Sequence, residues 1–483
     1  MSELWTEWGD WVVILLRCVF SVAFVMQIVP LLIWGERKGA AYIQDRPGPN
    51  RAPIDIPNPL DIPRLLGDVL AARPLVFKPI VSLRAAGLIH TLTDVVKLAF
   101  KEDITPDHVE KFYWFIAPVI AMSIALCTFA VVPFGDTFLG HQLKVSDMDG
   151  GLLFVLAMTS LGVYGIMLAG WSSNNKFSLL GGLRASAQMV SYELAMGLSA
   201  VVVFLSAGSV SLSRIAEVQG QPLSLFGVVE IPALNWNVFS PFGFLAFVLF
   251  WVAAFAETNR TPFDLPEGEA ELVGGYHTEY SSFRFALFFM AEYANMIVAS
   301  SVTATLFFGG YNVPLLSPAT IREHADLLLG VLGLGAVPAF LTFAVVAWKR
   351  QGRPFYSVIP KDDPRQNEPK FFTAVWLGAA GAHGALGVVG FMGGLAALSA
   401  WAEMPELGGD LMAVILGITA LAVKVLIGCW IMIWVRWTVP RFRYDQLMNL
   451  GWKVMLPLAL GNVFAAAGWI VLRHELFGPA GGS

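Results

Sequence analysis

Charge is what this chain most lacks. Asp, Glu, Lys and Arg make up 14% of its 483 residues, against about 25% in an ordinary soluble domain. Hydrophobic residues reach 56% and mean hydropathy is +0.64, so much of the chain must face lipid. Long polar connectors, which a soluble fold of this length would show, are few, and no nucleic-acid partner is expected. The net charge of −5 carries little information, because in a membrane protein the distribution of charge matters more than its sum. Cysteine is nearly absent too. Cys18, Cys127 and Cys429 each stand alone in an apolar run, without metal-ligand or Cys-x-x-Cys spacing, which argues against a cluster, a zinc site or a disulfide framework. They read as small buried hydrophobes. A signal peptide is not expected either: the first apolar run follows Glu3, Glu7 and Asp10 and ends in Gly35-Glu36-Arg37-Lys38 rather than at a small-residue cleavage site.

Apolar runs are what the chain has in abundance. A helix needs about 20 apolar residues to cross the hydrocarbon core, and candidate spans lie near 11–34, 113–135, 151–171, 188–208, 240–257, 284–309, 326–348, 373–400, 411–435 and 452–472. The expected fold is therefore all-α, a polytopic transmembrane bundle of about ten spans. Segments 35–112, 172–187, 258–283, 349–372 and 436–451, with Lys453, hold 24 of the 31 Lys and Arg. That bias puts them on the cytoplasmic side and both termini on the periplasmic side. Residues 52–88, rich in Pro, Arg and Lys, are too polar to span and suit an interfacial segment. Residues 349–372 read as a charged linker. No inverted repeat of the carrier kind is visible, which counts against a stand-alone carrier or channel.

A charge near the bilayer centre costs at least about 2.5–3.5 kcal/mol on insertion scales, which makes such residues functional candidates. Lys424, Glu193 and Glu292 qualify, and Glu292 follows Arg284 by two helical turns on roughly one face. One reading is a set of static helix-packing ion pairs. The other is proton transfer, which needs carboxylates able to accept and release protons near neutral pH. The densest cluster runs from Glu257 to Glu279: Glu257, Asp264, Glu267, Glu269, Glu271 and Glu279 against Arg260 alone. These acids interleave with Pro262, Phe263, Leu265, Pro266, Leu272 and Val273, as in a loop folded into a cavity rather than a solvated one.

The same residues carry a family resemblance. The run Ala256-Glu257-Thr258-Asn259-Arg260-Thr261-Pro262-Phe263-Asp264-Leu265-Pro266-Glu267, continued from Glu271 to Tyr280, resembles the signature of the H-type membrane subunit of NADH:quinone oxidoreductase. This is the bacterial complex I counterpart of mitochondrial NADH dehydrogenase subunit 1. Four further stretches agree in order: Glu36-Arg37-Lys38 with Arg46–Arg51, Asp94–Glu102, Arg184–Glu193 and Pro440–Met448. The resemblance implies a proton-translocating enzyme subunit without a redox centre of its own. It would form much of a chamber for quinone (ubiquinone or menaquinone) and the first buried carboxylates of the proton path. Glu36, Arg37 and Arg46 would lie at the chamber's mouth or wall, and Arg260, Asp264, Glu267, Glu269 and Glu271 beneath the quinone headgroup. Glu193, Glu257 and Glu292, with Arg184 and Tyr192, would continue the proton path. No metal or iron–sulfur cluster is implied. The implied partners are the hydrophilic quinone-site subunits, the small neighbouring membrane subunits and lipid, in the bacterial inner membrane. A related membrane-bound hydrogenase or dehydrogenase is the alternative.

The chain departs from the family core of eight spans by an insertion near 54–86 and an added helix pair around 325–410. The expected divisions are 1–51 with the first span, 52–88 interfacial, 89–325 core bundle, 326–410 inserted pair and 411–483 last two core helices.

Overall fold

A computed structural model describes residues 2–44, 46, 48–49, 54–57, 79–83, 85–138, 141–146, 148–225, 229–266, 273–350, 368–402, 404 and 406–477. Among them the architecture is helical, with three short antiparallel hairpins. Among the described residues nine helices are long and apolar enough to cross a membrane, and Pro241–Glu257 is a shorter apolar tenth. Each of the ten apolar runs expected from the sequence has its helix. The eighth differs in extent. Its helix ends at Phe391, Gly393 takes a left-handed φ of 71°, and a separate short helix follows over Gly394–Trp401. Glycine's freedom at positive φ makes that break inexpensive.

Two compact units are distinguished. The larger comprises residues 1–29, 101–329 and 390–483. Its principal helices are α1 (Lys111–Phe129), α2 (Gly151–Ser172), α3 (Lys176–Ala207), α4 (Pro241–Glu257), α5 (Ser282–Phe307), α6 (Leu407–Thr438), α7 (Tyr444–Asn449) and α8 (Leu456–Phe477). Small residues let the spans approach closely, as is usual where lipid supplies no hydrophobic drive between helices. A Cβ on Gly165 of α2 would come within 3.1 Å of the Ala121 backbone of α1, and one on Gly170 within 3.1 Å of Gly182 of α3. Local signals set the helix ends. Asn175 caps α3 by accepting from the Phe177 N–H at 2.9 Å, and Gly208 closes it with φ 65°. Ser240 caps α4 from Gly243 N–H at 3.0 Å, with Pro241 at the first helical position.

At 32 residues, α3 is about 48 Å long, well beyond a hydrocarbon core of about 30 Å. The stretch 176–187, expected as loop, is its first three turns, and Arg184 stands on the helix. Gln188, Tyr192, Ala195 and Ser199 are buried along one stripe of α3, at the spacing that faces a helix toward its neighbours.

The second unit comprises residues 30–100 and 330–389. It contains the end of the first span (Ser2–Ile43), a hairpin of Ile54–Pro57 with Pro79–Leu83, the helix Ile89–Phe100, and most of the pair Ala325–Lys349 and Glu368–Phe391. The helix pair crosses at glycines: a Cβ on Gly333 would lie 2.6 Å from the Gly387 Cα. Lys38 and Glu368, both buried, pair at 2.7 Å, and the Tyr42 hydroxyl donates to the same Glu368 oxygen at 3.1 Å.

Candidate functional site

The first half of the acidic loop is not solvated. Every residue from Arg260 to Pro266 is buried, and two other motif stretches, Arg184–Glu193 and Pro440–Met448, converge on it. Gln188 on α3 donates from Nε2 to the Ala256 carbonyl at 2.8 Å and the Phe263 carbonyl at 2.9 Å. The Phe263 ring packs between Tyr192 and Phe442, at centroid distances of 5.5 and 5.6 Å. The Phe442 N–H donates to the Pro262 carbonyl at 3.1 Å. Arg441 pairs with Asp264 at 3.0 Å, the aspartate side chain being 4% exposed. Tyr192 in turn donates its hydroxyl to the Leu447 carbonyl at 2.8 Å. The segment before α7 is thus a strap over the loop.

Arg260 is the loop's buried cation, 1% exposed. Its Nε lies 2.5 Å from a carboxylate oxygen of Glu292 on α5, and its guanidinium sits 4.3 Å from the Tyr293 ring centroid. A buried guanidinium needs such company, since an uncompensated charge in low dielectric is strongly unfavourable. Arg284 stands two turns before Glu292 on α5. Arg284 pairs with Asp103 at 3.2 Å and lies 4.3 Å over the Trp114 ring. Tyr280 stacks on that tryptophan and donates to its carbonyl at 3.1 Å. Burial pushes the Tyr280 phenol up, against the opposing Ser172 hydrogen bond and Arg284 charge, so it serves as a fixed donor.

Glu257 closes α4. It is buried, and its Oε2 meets no hydrogen-bond donor among the described residues. It lies close enough to Glu193 for the two charges to interact, and Glu193 accepts a hydrogen bond from the Ser160 hydroxyl. Between α1, α2, α3, α4 and α5 runs a cavity whose water-accessible volume is about 70 Å³, room for a few waters. Its polar lining includes Glu257, Glu292, Asn259, Asn295, Thr159 and Thr128. The structure therefore brings Arg260, Glu257, Glu292, Glu193, Tyr192 and Asp264 into one neighbourhood. Arg184 is half-buried on α3. Glu267, Glu269 and Glu271 lie outside the described residues.

Glu36, Arg37 and Arg46 belong to the second unit. Glu36 is buried, Arg37 pairs with Asp94, and exposed Arg46 donates to the Gln44 side chain at 2.7 Å. Two of the sequence stretches thus meet each other there. Lys424 has a different surrounding from the carboxylates. Its ammonium donates to the carbonyls of Phe308, Gly310 and Asn312 at 2.8, 2.8 and 2.7 Å, with the Trp236 ring at 4.8 Å. Three acceptors use all three N–H groups of an ammonium, an arrangement that clips the end of α5. Gln188, Asn295 and Ser160 carry no sequence pattern that marks them as site residues. Gln188 and Arg441 stand inside the stretches that carry the resemblance, but nothing in their spacing indicated which atoms they would meet.

Fold and site define a multi-span helical membrane protein that keeps an arginine–carboxylate pair and further carboxylates around an internal cavity. The chain matches the NADH dehydrogenase family over residues 16–356 and 371–467. It is 38% identical to NADH-quinone oxidoreductase subunit 8 of Rhodothermus marinus, over 90% of this chain and 91% of that one. It is 36% identical to the H-type NADH-quinone oxidoreductase subunit of Salinibacter ruber over 99% of each chain, and 37% to that of Leptospira biflexa over 96% and 98%. The chain belongs to the NADH dehydrogenase family, as a membrane subunit of the NADH-quinone oxidoreductase complex. Its partners are accordingly other subunits of that complex. The Salinibacter relative matches along nearly its whole length, so the segments near 54–86 and 325–410 do not set this chain apart from it.

Proposed function

We propose that this protein forms much of the chamber in which quinone is reduced and supplies the first carboxylates of the path that couples reduction to proton pumping. The observation that carries the proposal is the pairing of Arg260, a loop residue, with Glu292, a residue of a membrane span, beside a cavity onto which Glu257 also opens. In such a low-dielectric setting a change of charge at the loop is felt strongly at nearby carboxylates. Arg260 and Asp264 then lie beneath the quinone headgroup. Glu257, Glu193 and Glu292, flanked by Tyr192 and Arg184, carry protons onward. The relatives are named for quinone reduction, which supports quinone as the substrate class here. The Lys and Arg bias supports a cytoplasmic placement of the loop and periplasmic termini, with hydrophilic quinone-site subunits docked over the loop.

The test is Glu257→Gln in the assembled complex, in sealed vesicles energised with NADH and a soluble quinone. Normal assembly with loss of quinone-linked proton pumping is the expected result. Undiminished pumping would overturn the role given to Glu257 and with it the path.

A further inference from the structure

Gln188 is 0% exposed, and its Nε2 lies within hydrogen-bond reach of three oxygens: Ala256 O at 2.8 Å, Phe263 O at 2.9 Å and Asn259 Oδ1 at 3.2 Å. Three oxygens around one end of the amide fix its orientation, since a primary amide nitrogen donates and cannot accept. The two carbonyls stand at opposite ends of a tight reversal. Ala256 is in the last turn of α4, where carbonyls have run out of intrahelical partners. Phe263 is where the chain comes back under the Tyr192 and Phe442 rings.

The reversal's own backbone bonds are short-range: Thr258 N–H to Ala254 O at 3.0 Å, Asn259 N–H to Ala256 O at 3.3 Å, and Phe263 N–H to Arg260 O at 2.8 Å. None of these ties residue 256 to residue 263. The bend also passes through a left-handed residue, Asn259 with φ 51°, a conformation uncommon for non-glycine residues though best tolerated by Asn and Asp. The same Asn259 side chain is held by Gln188. Between the two bridged carbonyls lie Glu257, whose carboxyl opens on the cavity, and Arg260, which reaches Glu292.

We propose that Gln188 is a positioning residue: its side-chain amide staples the two ends of the reversal and so sets the distance from the Glu257 carboxyl to the Arg260–Glu292 pair. The inference rests on the coupling role proposed above for those carboxylates, and it adds the group that fixes their geometry. Gln188 itself takes no proton and touches no substrate.

The experiment compares Gln188→Leu and Gln188→Glu in the whole complex, reading assembled amount, quinone reduction and protons pumped per electron. Gln188→Leu removes the donor. It should lower protons pumped per electron while quinone reduction continues and the complex still assembles. Gln188→Glu keeps the shape but can donate only while its new carboxyl is protonated. Its deficit, measured against the unsubstituted complex at each pH, should therefore shrink as the pH is lowered, whereas that of Gln188→Leu should not. A residue that merely packs would lower assembly, reduction and pumping together and leave protons per electron unmoved, and that result overturns the inference. Failure of both variants to assemble would also overturn it, assigning Gln188 to folding. Glu257→Gln in parallel separates the two claims. If it pumps normally, the underlying reading falls. If it fails to pump while both Gln188 variants keep their ratio, only the staple falls.

Discussion

At the scale of single residues, buried ionisable groups in this chain fall into two sorts that look alike in the sequence. Lys424 and Glu257 both sit in apolar helices, yet one has a full set of partners and the other does not. The Lys424 ammonium is saturated by three carbonyls past the end of α5, where the helix dipole also favours a cation. Lys424→Met should therefore lower stability by roughly 1.5–3 kcal/mol, the range for hydrogen bonds to a charged group, read as a lower midpoint in thermal unfolding of the purified complex. Protons pumped per electron should hold steady. An unchanged midpoint with lost pumping would move Lys424 to the functional set. Glu257, with an oxygen open to the cavity, carries the opposite expectation: altered pumping at little cost to assembly. Apolar neighbours were legible for both residues, but the partner atoms of Lys424 were not, because they are backbone carbonyls more than 100 positions away.

At the scale of elements, the acidic loop is a turn pressed between α3 and the strap around Phe442. Its fit depends on a bare backbone at Gly181, where an added Cβ would come within 2.8 Å of both Pro266 O and Tyr276 N. Both opposing atoms are main chain, so neither can swing aside as a side-chain tip could. Gly181→Ala should displace the two ends of the loop together. We expect reduced quinone-reductase turnover in assembled complex, and a larger loss for Gly181→Val; equal turnover in all three forms would show the loop to be more pliant than its packing implies. Charge density and interleaved prolines marked this loop as unusual from sequence. That it is buried from Arg260 to Pro266 follows only from the elements closing around it, which supply Arg441 to Asp264 and Glu292 to Arg260.

At the scale of the whole molecule, the buried pair Lys38–Glu368 joins the first span to the helix Glu368–Phe391 within the second unit. Their side chains are 4% and 1% exposed, so removing one partner strands a buried charge. Glu368→Gln should cost about 3–5 kcal/mol, measured as a lowered thermal midpoint. Replacing both, Lys38→Met with Glu368→Leu, should recover most of it, because a buried ion pair is often worth no more than an apolar one of similar volume. Failure of the double replacement to recover would show that the pair does more than join helices.

The sequence by itself determined that the chain lives in a membrane, how many apolar spans it has and roughly where they run, because lipid imposes length and hydropathy on each span independently of its neighbours. It also determined the family, through five ordered stretches whose residues could be read one by one. Tertiary structure decided which charges are partners. It joined Arg260 to Glu292, Arg284 to Asp103 and Arg441 to Asp264, saturated Lys424 and placed Gln188 across the loop's reversal. Such pairings depend on helix rotation and close approach between segments far apart in the chain, and no local pattern encodes those.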